Sequence, residues 1–179
     1  MKSCASIMDA PQSRRALIGV DSNVLLDLAD EVEDVTDAVL TIRRRLAQAQ
    51  LALLPTAGHE LAAEVRRGLD ARKRQRARRA FQLARDWNIQ PSDLISVRHG
   101  IAERIGRHLR VIGLLPEMEV NDGLILAEAA LLNCSLLLTS DEHLRGIDFE
   151  RLTLELQAFD VTAPVIATPR EIVRKFFQR

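Results

Sequence analysis

Residues 121–141 read NDGLILAEAALLNCSLLLTSD. Asn121 reads as the cap of a helix over DGLILAEAALL. SLLLT (135–139) is a continuous apolar run, the pattern of a strand buried on both faces in a parallel sheet. Ser140, Asp141 and Glu142 follow it directly. The same arrangement recurs along the chain. ALIGV (16–20) runs straight into Asp21, LALL (51–54) precedes Pro55, and PVIAT (164–168) precedes Pro169, which suits a first helical position. Helical patterns lie between these runs. They are SNVLLDLA, the stripe Val35, Val39, Ile42 and Leu46 up to Gln50, and GHELAAEVRR with Thr56 as its cap and Gly68 as its end. The stripe Val97, Ile101, Ile105, Leu109 and Ile112, and the breaker-free stretch 150–158, continue the series. Asn88 to Pro91 reads as a break. Strands alternating with helices predict an α/β fold with a central parallel sheet and helices on both faces.

Composition narrows the class. The 179 residues suit one domain, expected over 16–179 behind a polar tail at 1–15. With 47% hydrophobic and 28% charged residues, disordered and collagen-like chains are excluded. Aromatics are 3%, so the core must be aliphatic. Two cysteines, Cys4 and Cys134, make neither a disulfide framework nor a zinc quartet, and Cys134 reads as a small buried hydrophobe. No apolar run approaches the ~20 residues of a membrane span, and the first 15 residues lack the apolar core of a signal peptide. A soluble, cytoplasmic protein is expected.

Carboxylates mark the candidate site. Ligands of open parallel sheets bind at the carboxyl ends of the strands, where Asp21 and Asp141 fall. Glu60 and Asp122 lie at the starts of helices, which in such a fold open at the same edge. Singly, each has a plain structural use as a cap or a complement to the helix dipole. Together they would repel, by roughly 4 kcal/mol for a pair ~4 Å apart at an effective dielectric near 20. A hard divalent cation with oxygen ligands relieves that repulsion.

At these residues the chain resembles the PIN-domain family of metal-dependent nucleases. The matching pieces are ALIGVDSNVLLDL (16–28), LLPTAGHEL (53–61), NDGLILAEAALLNCSLLLTSDEHLRGI (121–147) and PVIATPREIVRKF (164–176), in the family's order. The resemblance implies a PIN-like three-layer fold with a parallel sheet of about five strands. It implies Asp21, Glu60, Asp122 and Asp141 as catalytic and metal-binding residues, with Asn23 of the Asp-x-Asn element and Ser140 in support, and Mg²⁺ or Mn²⁺ as cofactor. Glu142 and Asp148 are spare acids near Asp141 that could serve as ligands instead of it or besides it, Asp148 reading rather as surface. It further implies RNA as substrate and, for VapC-type toxins, an antitoxin protein and a homodimer as partners. Segment 24–46, with its acidic cluster and apolar stripe, is the expected interaction surface. A non-catalytic PIN-like module that binds RNA or protein, and a DNA-directed nuclease, are the alternatives. Receiver domains and haloacid-type phosphatases also place acids at strand ends. Both would want a lysine late in the sheet, and only Lys2, Lys73 and Lys175 exist.

A basic helical segment at about 66–113 departs from the small-toxin pattern. From Arg66 to Arg85 nine basic residues face one acid, Asp70, in a chain of zero net charge. Wound at about 100° per residue, Ala77, Ala80, Phe81, Ala84 and Trp87 share one face and the arginines the other. Arg74, Arg78 and Arg85 are the expected RNA contacts. The competing reading is a solvated face balanced by the acids at 27–37. His59 and His143, beside Glu60 and Asp141, read as solvated surface, and Trp87 as a packing anchor.

Overall fold

The structure, a computed structural model, describes residues 15–68 and 70–177; residues 1–14 of the expected tail lie outside that range. Five strands, β1 (Leu17–Val20), β2 (Gln50–Leu53), β3 (Gln90–Pro91), β4 (Leu136–Leu138) and β5 (Val165–Ala167), form one parallel sheet. Their order is β3-β2-β1-β4-β5. The chain winds outward from β1 to β3, then returns to the other side of β1 with β4 and β5. The topological switch point therefore lies between β1 and β4. Their ladder pairs Ile18 with Leu136 and Val20 with Leu138, and the Asp21 N–H continues it to the Leu138 carbonyl at 3.1 Å.

The apolar runs form central strands because both their faces are covered: Ile18, Val20, Leu51, Leu53, Leu137 and Leu138 are all buried. The connecting helices are α1 (Ser22–Ala29), α2 (Glu33–Arg45), α3 (Pro55–Arg67), α4 (Ala71–Asp86), α5 (Ser96–Val111), α6 (Val120–Leu131), α7 (Glu142–Arg145), α8 (Phe149–Gln157) and α9 (Pro169–Phe177). The result is the three-layer α/β arrangement expected of the PIN-like fold. No helix among the described residues is long and apolar enough to cross a membrane.

Four readings of local sequence need correction. The break at 88–91 holds a strand, β3, only two residues long at the sheet edge. Pro91 is tolerated there because an edge residue need not donate. Thr56 does not cap α3: Leu54 occupies the cap position, and Thr56 turns to Glu128. Asn121 does not cap α6, where Glu119 takes that position and Asn121 reaches across to Glu60. Finally, α2 ends at Arg45, and its buried stripe of Val35, Ala38, Val39 and Ile42 packs within this chain, with α9 as a neighbour. Segment 24–46 therefore does not hold that stripe open for a partner.

One contact fixes where α6 begins. Helices α5 and α6 cross at Gly106 and Gly123. A Cβ built on Gly106 would lie 2.9 Å from the carbonyl carbon and oxygen of Gly123. No real side chain fits there, so the first turn of α6, with Asp122, is seated by backbone-to-backbone contact.

Candidate functional site

Asp21 follows β1 at the helix cap position of α1, yet its side chain makes no cap hydrogen bond. It is 1% exposed and points across the switch point, where Thr139 Oγ1 donates to its Oδ2 at 2.7 Å. The Thr139 hydroxyl in turn accepts the Asp141 N–H at 3.0 Å, so one side chain ties together the two acidic strand ends. Ser22 Oγ lies 3.3 Å from Asp21 Oδ1 and 2.5 Å from Glu60 Oε2; its single proton serves the closer oxygen. Asn121 Nδ2 donates to the other oxygen, Glu60 Oε1, at 2.6 Å. Glu60 is thus held from α1 and from α6, with the Ser22 hydroxyl lying between it and Asp21. Asp141 caps the short α7, accepting the N–H groups of His143 and Leu144 at 2.7 and 3.2 Å.

Asp122 stands differently. Its side chain is 13% exposed, and its Oδ2 is wholly buried with no hydrogen-bond partner. Burial, then the charges of Asp141, Glu119 and Asp21, push its carboxyl up to about 7 from 3.8. Burial likewise raises Asp21 to about 6, with Glu60 adding to the rise against the Thr139 hydrogen bond. The two shifts trace one field. Asp122 feels Asp141, Glu119 and Asp21, and Asp21 feels Glu60, so like charge accumulates along this edge of the sheet.

Among the supporting candidates, Asn23 and Ser140 are half-buried and Glu142 is exposed in the first turn of α7. Asp148, a spare acid in the sequence, caps α8 through the N–H groups of Glu150 and Arg151. One neighbour of Asp122 escaped sequence reasoning, and a second was named there only as solvated surface. Glu119 lies one turn before Asp122, and its ligand oxygen, one from Asp122 and a His143 nitrogen lie within 4.8 Å of one another. Adjacency in sequence puts His143 beside Asp141, and its side chain is half exposed as read there, but its approach to Glu119 and Asp122 on α6 was not legible.

A cleft of about 690 Å³ opens beside the acids, between α1, α3 and α4. Ser22, Asn23 and Glu60 line it, as do Arg67, Lys73 and Arg76. Helix α4 packs on α1 and α3 through Ala77, Ala80 and Ala84, as its pattern predicts. Acids at the end of α1 and just after it neutralise part of the charge of α4: Arg76 meets Asp30 at 2.6 Å and Asp27 at 3.6 Å, and Arg79 pairs with Glu31. Arg74 is engaged with the Gly68 carbonyl at 2.6 Å. Arg78 and Arg85 are exposed on α4 and do not line the cleft. Trp87 packs against the core under Arg43, whose guanidinium lies 5.8 Å from the ring centre. Cys134 is buried, and burial pushes its thiol up to about 11, so it carries no thiolate chemistry.

Comparison with known proteins follows this geometry. A family model described as PIN domain matches residues 18–150. Among solved structures the chain is similar to VapBC2 from Rickettsia felis bound to a DNA fragment from their promoter. The TM-score is 0.58 and the identity 12%, over 85% of this chain and 98% of the matched one. At that identity the likeness speaks for the fold. No curated protein matches the chain.

Proposed function

The chain belongs to the PIN-domain family, whose members are nucleases, and from that premise we propose that it is a divalent-metal-dependent endoribonuclease. The observation that carries the reading is the buried, unpartnered Oδ2 of Asp122, set among like charges at the switch point. The donor set fits Mg²⁺ or Mn²⁺: carboxylate oxygens from Asp21, Glu60, Asp122 and Asp141, with one oxygen short of a partner. When bound, such a cation neutralises phosphodiester oxygens and lowers the pKa of water, which is the chemistry hydrolysis requires.

The chain's own residues supply the positioning. Thr139 orients Asp21, while Ser22 and Asn121 hold the two oxygens of Glu60. Asn23 and Ser140 border this edge as donors for substrate phosphates, and Glu142 as an acceptor for substrate hydroxyls. The cleft leads from Glu60 toward Arg67 and Lys73, cations able to hold the strand that the acids alone would repel. The geometry favours these two over Arg74, while Arg78 and Arg85 extend the positive surface outward. The test is cleavage of single-stranded RNA and DNA by the purified protein, with Mn²⁺ or Mg²⁺ and with a chelator. RNA cut only with metal supports the reading, DNA cut in preference moves it to a DNA-directed nuclease, and neither cut leaves a binding module.

The likeness to a chain of the VapBC2 structure favours a toxin role with an antitoxin protein as partner, and the family resemblance adds a homodimer as the expected assembly. Co-expression with the neighbouring open reading frame, followed by purification and light scattering, tests both.

A further inference from the structure

We propose that His143, together with Glu119 and Asp122, adds an imidazole nitrogen to the cation site, making a mixed nitrogen–oxygen donor set that selects Mn²⁺ or Co²⁺ over Mg²⁺. The inference rests on the nuclease reading only through the shared Asp122.

Three distances carry it. His143 Nδ1 lies 3.5 Å from Glu119 Oε1, 3.7 Å from Asp141 Oδ1 and 3.8 Å from Asp122 Oδ2. All exceed the 2.7–3.2 Å of an N–H···O hydrogen bond, so none satisfies the buried Asp122 oxygen. They approach the separations of atoms that share a metal. With ligand bonds of about 2.1 Å, neighbouring donors sit roughly 3.0–3.4 Å apart. A shift of a few tenths of an ångström closes the difference.

The backbone prepares the arrangement. Glu119 and Asp122 are three residues apart at the start of α6, a spacing that puts both side chains on one face. His143 is anchored by its own N–H, which Asp141 accepts at 2.7 Å. That bond fixes where the His143 side chain leaves the backbone, beside Asp141 and facing the start of α6. Nitrogen is the informative donor. Mg²⁺ prefers oxygen ligands and keeps its water, whereas imidazole favours ions further along the first transition series. A set built for Mg²⁺ alone gains nothing from a histidine at this place.

The probes are MnCl₂, CoCl₂ and MgCl₂ titrated calorimetrically into metal-free protein, with pulsed EPR on the Mn²⁺ form. The wild type should show nitrogen hyperfine coupling from a directly bound imidazole. His143→Ala should lose that coupling and about tenfold or more in Co²⁺ and Mn²⁺ affinity, while Mg²⁺ affinity moves less than about twofold. Glu119→Gln should weaken Co²⁺ binding while keeping the coupling, and circular dichroism checks that both variants fold. Absent coupling in the wild type, retained coupling in His143→Ala, equal losses for Mg²⁺ and Co²⁺, or no binding of any of the three ions overturns the proposal. A protein that cuts RNA without nitrogen coupling defeats this inference alone. One that binds Mn²⁺ through nitrogen yet cuts nothing defeats the nuclease reading and leaves this one standing.

Discussion

Helix α6 carries two acids with buried carboxylate oxygens, and their surroundings are opposite. Glu128, in the middle of the helix, is 3% exposed and fully answered by Thr56. The Thr56 N–H lies 3.2 and 3.0 Å from its two oxygens, and the Thr56 hydroxyl donates at 2.7 Å. Burial raises its pKa, and the Thr56 hydrogen bonds oppose the rise. Asp122, at the first turn, keeps an orphaned oxygen and has Asp141, Glu119 and Asp21 for company. The helix dipole should favour its charge by about 0.3–1 kcal/mol. The rise to about 7 from 3.8 runs opposite to the dipole's effect, so burial and the neighbouring acids prevail over it. Burial alone therefore does not mark a functional acid. What separates the two is whether the fold supplies donors or withholds them: Glu128 is a clamp between α6 and α3, and Asp122 keeps an unpartnered oxygen, the one the proposed function gives to a cation.

The largest expected effect lies at the unanswered end. Asp122→Asn should lower metal-dependent cleavage by about three orders of magnitude, the equivalent of several kcal/mol of lost charge stabilisation. An unchanged rate would place the site elsewhere. The same variant separates function from stability. A raised folded-state pKa means the folded chain holds protons that the unfolded chain releases. The metal-free protein should thus lose stability as pH rises from about 4 through 7. In chelator at pH 8, urea unfolding should find Asp122→Asn more stable than the wild type, and at pH 4 the advantage should vanish. Equal stability at both values would break the contrast with Glu128.

At the answered end the sign reverses. Glu128→Ala strips Thr56 of its acceptor and opens a cavity, and should destabilise by about 2–4 kcal/mol in urea unfolding. Glu128→Gln keeps an acceptor and should cost about 1 kcal/mol or less. A smaller loss, about 1–3 kcal/mol, is expected for Gly106→Ala, because the new Cβ must push α6 away from α5. Its cleavage rate should fall as well, since Asp122 moves with that turn. The smallest effect concerns the cleft. Arg67→Ala with Lys73→Ala should flatten the salt dependence of RNA binding by about one to one and a half units, at about 0.7 per phosphate on a single strand. Arg78→Ala with Arg85→Ala should flatten it less. The opposite ranking would show that the outer face of α4, and not the cleft, is the track.

Much of this architecture was legible because parallel strands are continuous apolar runs, and ALIGV, LALL, SLLLT and PVIAT have no other reading. Strand β3 was not, since Gln90 and Pro91 carry no strand pattern. Pairing with Ala52 and Leu53 alone makes them one. Thr56 and Asn121 were assigned to local caps because capping is the nearest use of such residues. Each found a partner more than sixty residues away, Glu128 and Glu60, which only the folded chain brings near. The acids at strand ends were found by topology, and the basic face of α4 by period. Its partial neutralisation by Asp27, Asp30 and Glu31 fits the competing reading of that face. Glu128 had a signal that went unused: one charge inside the apolar run LILAEAALL must be answered within the core.

The central claim is that the fold leaves Asp122 without a partner so that a divalent cation can be held there. Thermal unfolding of the wild type and Asp122→Asn at pH 8, each in chelator and in excess Mn²⁺, tests it most directly. Binding to the folded state alone at a hundred times the dissociation constant should stabilise the wild type by about 2.7 kcal/mol. In a chain of this size that is a rise of roughly 5–10 °C in the midpoint. The account predicts that rise in the wild type and little or none in Asp122→Asn. An equal rise in both proteins, or none in either, would contradict it.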